Sequence, residues 1–165
     1  MTAVDAVRFE KAAERHAAQI AALVQHTVRE IYPRYYLPEI VDAFCSLHDE
    51  NAVLQDIRQN AVYGLWLGNH LIGTGTARQD HITRVYVLPA FQGRGYGSLI
   101  MEKLEREAAR QYAAVRLEAS LPACLLYEHR GYRTICHDQW PVENGVILVY
   151  EIMEKQFNEE PRYGP

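Results

Sequence analysis

Cysteine is scarce in this chain: three in 165 residues, Cys45, Cys124 and Cys136, far apart and never as C-x-x-C. That spacing excludes a disulfide framework and a zinc knuckle, and a reducing interior is its natural home. The seven histidines form no H-x-x-x-H pair and no Cys/His cluster, so no metal is implied. Long apolar runs are missing too, and the first residues lack a basic segment followed by an apolar one; a soluble cytoplasmic protein, with no membrane partner, is the expectation. No Lys/Arg run occurs and the formal charge is −4, which argues against a nucleic-acid partner, because binding a phosphate backbone depends on clustered cations. Repeats and low-complexity linkers are also absent. With 48% hydrophobic and 23% charged residues, the composition is that of one globular domain able to bury a core, read as residues 1–155 followed by a polar tail over 156–165.

One local absence is more pointed. No Asp or Glu lies between Gln92 and Met101, although helix starts favour acidic residues, and Arg94 adds a cation there. The surrounding stretch begins with alternating Val85 and Val87, stops at Leu88-Pro89, and then places Gly93, Gly95 and Gly97 within five residues. Ile100, Leu104 and Ala108, with Met101 beside the first, then recur at helical spacing. A strand, a glycine turn and an amphipathic helix follow in order. Unpaired N–H groups and the positive dipole end of such a helix form an anion site that glycines let a ligand approach closely. The dinucleotide fingerprint fails, since Ser98 stands where its last glycine belongs, and no Gly-Lys-Ser/Thr is present for a Walker loop.

The rest of the chain reads as mixed α/β. Val7 and Phe9 alternate as in a half-buried strand, and Ile20, Val24, Val28 and Ile31 trace a helix ended by Pro33. Pro38 opens another helix with the stripe Val41, Phe44 and Leu47, and Asn51 is read as the cap of a third through Ile57. Residues 61–67 and 71–76 make a hairpin around Gly68-Asn69-His70, and a central strand starts near His81. Beyond the glycine turn come a strand over 115–119, a helix over 122–129 stopped by Gly131, and strands over 132–140 and 146–153 joined through Glu143-Asn144-Gly145. The tail from Gln156 is polar, proline-bearing and expected to be loosely ordered.

Gln92-Gly93-Arg94-Gly95-Tyr96-Gly97 matches the Q/R-x-x-G-x-G/A signature of the GCN5-related N-acetyltransferases, and Leu126-Tyr127-Glu128-His129-Arg130-Gly131-Tyr132 looks like that family's second signature at the expected distance. The chain resembles the family over almost its whole length. The resemblance implies a mostly antiparallel sheet of about seven strands flanked by helices, whose splayed central strands admit the pantetheine arm of acetyl-CoA. The main chain of Val85, Tyr86 and Val87 would run beside that arm, and the N–H groups of Gly93, Arg94, Gly95, Tyr96, Gly97 and Ser98 would hold the pyrophosphate. Ser120 stands where the family often has a coenzyme-contacting asparagine; a hydroxyl still donates and accepts, with less reach.

The implied chemistry is attack of a neutral amine on the thioester. Tyr127 occupies the place of the family's proton donor to the leaving thiolate, a task suited to a phenol of ordinary pKa about 10; the alternative is an aromatic that only packs its helix. His81, with Asp80 beside it, holds the position of the family's strand carboxylate and is the first candidate base; Glu118 is the second, and a water chain the third. Family specificity lies between the first strand and the hairpin, which points to Tyr32, Arg34, Tyr35 and Tyr36 as substrate contacts, Arg34 for a carboxylate; the tyrosines read equally as helix-corner packing. The expected function is acetyl-CoA-dependent transfer to a small-molecule amine. The alternatives are a protein or peptide acceptor and a non-catalytic acyl-CoA-binding module, and a homodimer stays open.

Overall fold

The computed structural model describes residues 6–157, and the outer parts of both termini, including most of the tail expected to be loose, lie outside the described residues. Its sheet has seven strands in the order β1-β2-β3-β4-β5-β7-β6. These are β1 (Val7–Lys11), β2 (Val62–Leu67), β3 (His70–Arg78), β4 (His81–Val87), β5 (Ala114–Ala119), β6 (Arg133–Pro141) and β7 (Ile147–Gln156). All neighbours run antiparallel except β4 and β5, which are parallel. The mixed α/β class and the mostly antiparallel seven-stranded sheet expected from the sequence are what the chain adopts.

The helices are α1 (Ala17–Ile31), α2 (Pro38–Leu47), α3 (Glu50–Arg58), α4 (Tyr96–Ala108) and α5 (Cys124–His129). Helix α1 buries Ile20, Val24 and Val28 completely, and its α-helical run stops at Ile31, where a 3-10 turn holding Pro33 takes over because proline offers no N–H to continue the ladder. Pro38 opens α2, as its fixed φ allows. The stripe read for α2 is only partly core: Val41 is buried, but Leu47 is exposed, and Ile40 and Cys45 take the inner places. Steps of three residues fall short of a 3.6-residue turn, so Phe44 and Leu47 rotate off the core and onto the wall of a cavity. The cap of α3 is Asp49 rather than Asn51; its carboxylate accepts the N–H of Ala52 at 2.8 Å, which Asn51, already inside the helix, has no way to reach.

On the other side of the sheet, α4 lies against β3, with Ile100, Met101 and Leu104 fully buried. A Cβ on Gly75 would come within 2.7 Å of both Ile100 and Leu104, so this glycine sets how near the helix can lie. Residues 122–129 divide into a 3-10 turn and the short α5, and β7 runs further than read, through Gln156, because both its edges are paired.

Two irregularities place the site. Strand β4 is bulged: Thr74 faces Tyr86 while Thr76 faces Thr83, so Arg84 and Val85 oppose one residue, and Arg84 has φ 50. Strands β4 and β5 share a single register pair, His81 with Arg116. Beyond it they diverge, and the space between them is a cavity of about 780 Å³.

Candidate functional site

The floor of the cavity is the glycine turn and the start of α4. Gly93 and Gly95 have φ 75 and 85, a left-handed conformation that only glycine adopts without strain, and a Cβ on either would meet nothing within 4 Å. Gly97 is different. It is helical, and a Cβ there would make an ordinary 3.6 Å contact with Leu126, so the turn itself does not demand glycine at this position. From residue 93 to residue 98 no main-chain N–H has an acceptor among the described residues; the flanking Gln92 and Leu99 are bonded to Pro89 and Gly95. The helix dipole adds to these amides and no acidic residue occupies the first turn, so they form a cradle suited to an anion. A diphosphate fits it in charge, donor supply and access. Arg94 is not part of the cavity wall; its guanidinium lies 5.5 Å over the ring of Phe91.

Val85, Tyr86 and Val87 line one side of the gap, and Ser120 and Tyr127 the other. Across its end runs a chain of hydroxyls. Tyr32 donates to Ser120 at 3.0 Å and lies 3.3 Å from the Tyr86 hydroxyl, so Ser120 is engaged within the protein. Tyr36 accepts the N–H of Leu121 at 2.7 Å. These bonds tie the corner between α1 and α2 to the loop after β5, and burial pushes the Tyr36 phenol up to about 12 against the opposing Leu121 hydrogen bond. Burial likewise raises Tyr32, Tyr86 and Tyr127. Tyr127 is 7% exposed, and its hydroxyl has no hydrogen-bond partner among the described residues. Because no unpartnered side-chain polar atom there is sealed from solvent, that hydroxyl opens into the cavity it lines.

Arg34, Tyr35 and Tyr36 also line the cavity, and the Arg34 guanidinium has no partner among the described residues. His81 does not line it, but its Nε2 lies 2.6 Å from Oε2 of Glu118, which does. Burial pushes the Glu118 carboxyl up, the His81 hydrogen bond and charge push it down, and the net shift is downward. Thus the structure brings together every residue singled out for the site in the sequence except the side chains of Asp80, His81 and Arg94. Sequence reading missed Phe44, His48, Trp140 and Tyr150 as wall residues. Phe44 carried the signal only as an apolar stripe, and the other three carried none.

The residues from 11 to 156 match the family model for the acetyltransferase (GNAT) domain, nearly the whole described chain. The chain belongs to the GNAT acetyltransferase family. Solved structures agree with the GNAT fold. A GCN5-related N-acetyltransferase from Rhodopseudomonas palustris superposes with TM-score 0.81 at 24% identity, covering 94% of this chain and 98% of that one. The PaiA N-acetyltransferase from Thermoplasma acidophilum, in complex with coenzyme A, gives 0.73 at 14% over 92% and 99%. The yncA protein of Salmonella typhimurium, with its cofactor acetyl-CoA, gives 0.64 at 18% over 94% and 96%. No curated protein matches this GNAT sequence. Among the described residues no helix is long and apolar enough to cross a membrane, and no three His, Cys, Asp or Glu side chains are grouped as a metal site.

Proposed function

We propose that this GNAT domain is an N-acetyltransferase that moves the acetyl group of acetyl-CoA to the amine of a small molecule. The observation that carries the reading is the cradle of main-chain amides at residues 93–98 lining the same cavity as the open Tyr127 hydroxyl. Acetyl-CoA supplies the activated carbonyl, and the chain supplies position and proton transfer. The amides at 93–98 hold the diphosphate. The main chain of Val85, Tyr86 and Val87, which the splay leaves without a neighbouring strand on the β5 side, takes the pantetheine amides, the Val87 carbonyl being shared with the Gln92 side chain that donates to it at 2.9 Å.

The acceptor enters on the side walled by Tyr32, Arg34, Tyr35 and Tyr36. Glu118, held by His81, takes the proton of the ammonium, so that a neutral nitrogen attacks the acyl carbon. As the carbon–sulfur bond breaks, Tyr127 gives its proton to the thiolate, whose conjugate acid has an ordinary pKa of roughly 8.5, and the proton that the acylated nitrogen sheds in becoming an amide restores the phenol. Burial keeps Tyr127 a phenol until that charge develops. Ser120, bound to Tyr32, serves the coenzyme by holding the roof rather than by contact. The bonds of Tyr32 to Ser120 and of Tyr36 to Leu121 narrow that side of the cavity, which supports a small acceptor over a peptide.

Thiol release measured with acetyl-CoA and a panel of amines tests this. Turnover is expected for the wild type, and Tyr127→Phe is expected to lower kcat about 100-fold with coenzyme affinity within about twofold. Tight coenzyme binding without release for any amine would instead make the chain a binding module, and release only with peptides would make it a protein-modifying enzyme.

A further inference from the structure

His48, which caps the C-terminal end of α2 and lines the acceptor side of the cavity, has no part in the chemistry above, yet it is among the most constrained side chains in the molecule. It is 7% exposed. Its Nδ1 accepts from Nε of Arg84 at 3.2 Å, and Arg84 is itself fixed in the β4 bulge by Asp56 at 2.9 Å and Thr76 at 3.2 Å. A guanidinium only donates, so Nδ1 must carry the lone pair and the neutral ring must carry its proton on Nε2. Nothing among the described residues accepts that proton, and since no unpartnered side-chain nitrogen or oxygen there is shut off from solvent, Nε2 faces the cavity. The edge of the ring meets Tyr86, with centroids 5.7 Å apart and planes at 72°, so the ring is held from turning.

The result is a single, uncharged, directional N–H donor in the acceptor half of the site. Burial and the adjacent Arg84 charge lower the pKa of His48 to about 3, so it neither becomes a cation nor serves as a base at neutral pH. A donor has no use for an amine nitrogen that must keep its lone pair for attack. It is suited to an oxygen elsewhere on the acceptor. Arg34, without a partner among the described residues, adds a positive charge to the same cavity, while the cation of Arg84 is answered by Asp56 and Glu118 is hydrogen-bonded to His81.

We infer that the acceptor is an amine that also bears a carboxylate, one oxygen of which is held by the Nε2–H of His48, with Arg34 supplying the balancing charge. This deepens the N-acetyltransferase reading and rests on it. His48 is then a specificity residue, and the substrate class is that of amino acids and related amino-carboxylates, with an aromatic or apolar body against Tyr35 and Phe44.

Matched acceptors test it. Thiol release is measured with phenylalanine and with phenethylamine, which differ by the carboxylate alone. The wild type is expected to favour phenylalanine at least about tenfold in kcat/KM, the loss expected when a buried donor is left unpaired. His48→Leu is expected to bring the two within about twofold, by lowering the phenylalanine value and not the phenethylamine value, with KM for acetyl-CoA unchanged. His48→Gln, whose amide N–H reaches a similar place, is expected to retain part of the preference. Equal use of both amines by the wild type overturns the inference and leaves the N-acetyltransferase reading standing; so does a His48→Gln or His48→Leu protein that loses both acceptors alike. Absence of thiol release with every amine overturns both.

Discussion

At the scale of single residues, the glycine turn separates two demands that its sequence merges. Gly95 stands at φ 85, where an L side chain costs roughly 1–2 kcal/mol, whereas Gly97 is helical with room for a methyl group at 3.6 Å from Leu126. Gly95→Ala is therefore expected to lower the melting temperature and to weaken coenzyme A binding, since the amides would turn away from a common point. Gly97→Ala is expected to leave binding within about threefold and stability equal or slightly raised, alanine being the better helix former by up to about 1 kcal/mol. Calorimetry and thermal melts on the two variants check this; equal losses in both would mean that close approach, not φ, governs the turn.

At the scale of elements, the glutamate of α4 at position 105 joins three pieces of chain. Its carboxylate receives Arg130 at 3.1 and 2.7 Å, the Tyr132 hydroxyl at 3.0 Å and Lys155 at 3.1 Å, and it is 7% exposed. Arg130 ends α5, Tyr132 leads into β6, and Lys155 lies on β7, so this one acid clamps α4 to the element that carries Tyr127. Burial and the Glu105 charge push the Tyr132 phenol far up, which keeps it a donor. Removal of the carboxylate leaves two cations half-buried without their counter-charge. Glu105→Ala is expected to cost about 3 kcal/mol, read as a lower urea midpoint at unchanged slope, and Glu105→Gln less, because it still accepts from Tyr132. A loss below about 0.5 kcal/mol in Glu105→Ala would show that the cations find water at no cost.

At the scale of the whole molecule, stability and site are linked through His48. In the unfolded chain its pKa is about 6.5, and in the fold it is lowered to about 3 by burial and then by Arg84. Between those values the unfolded chain binds a proton that the folded one refuses, so stability present above about pH 6.5 is lost progressively as pH falls toward 3. The drop in melting temperature from pH 7 to pH 4.5 is expected to be smaller in His48→Gln than in the wild type. An unchanged drop would mean that His48 is solvated and free to charge, and its fixed tautomer would go with it.

Much of this protein was legible before folding. The apolar positions of α1 and α4 repeat at helical spacing, the paired signatures carry the glycine turn and Tyr127, and both lie in local sequence where period and turn chemistry act directly. Where the spacing was ambiguous, as for Leu47 on α2 or Asn51 beside Asp49, tertiary packing and cap geometry chose.

The chain alone therefore determined its elements, its glycine turn and the two signatures of its family, because each depends on neighbours a few residues apart. Only the tertiary structure decided that β4 and β5 part after one pair, that Tyr32 meets Ser120 across 88 residues, and that Arg84 fixes His48 across 36. Such contacts are set by the bulge and the splay of the sheet, and no periodicity in a sequence records which distant side chains a strand will bring together.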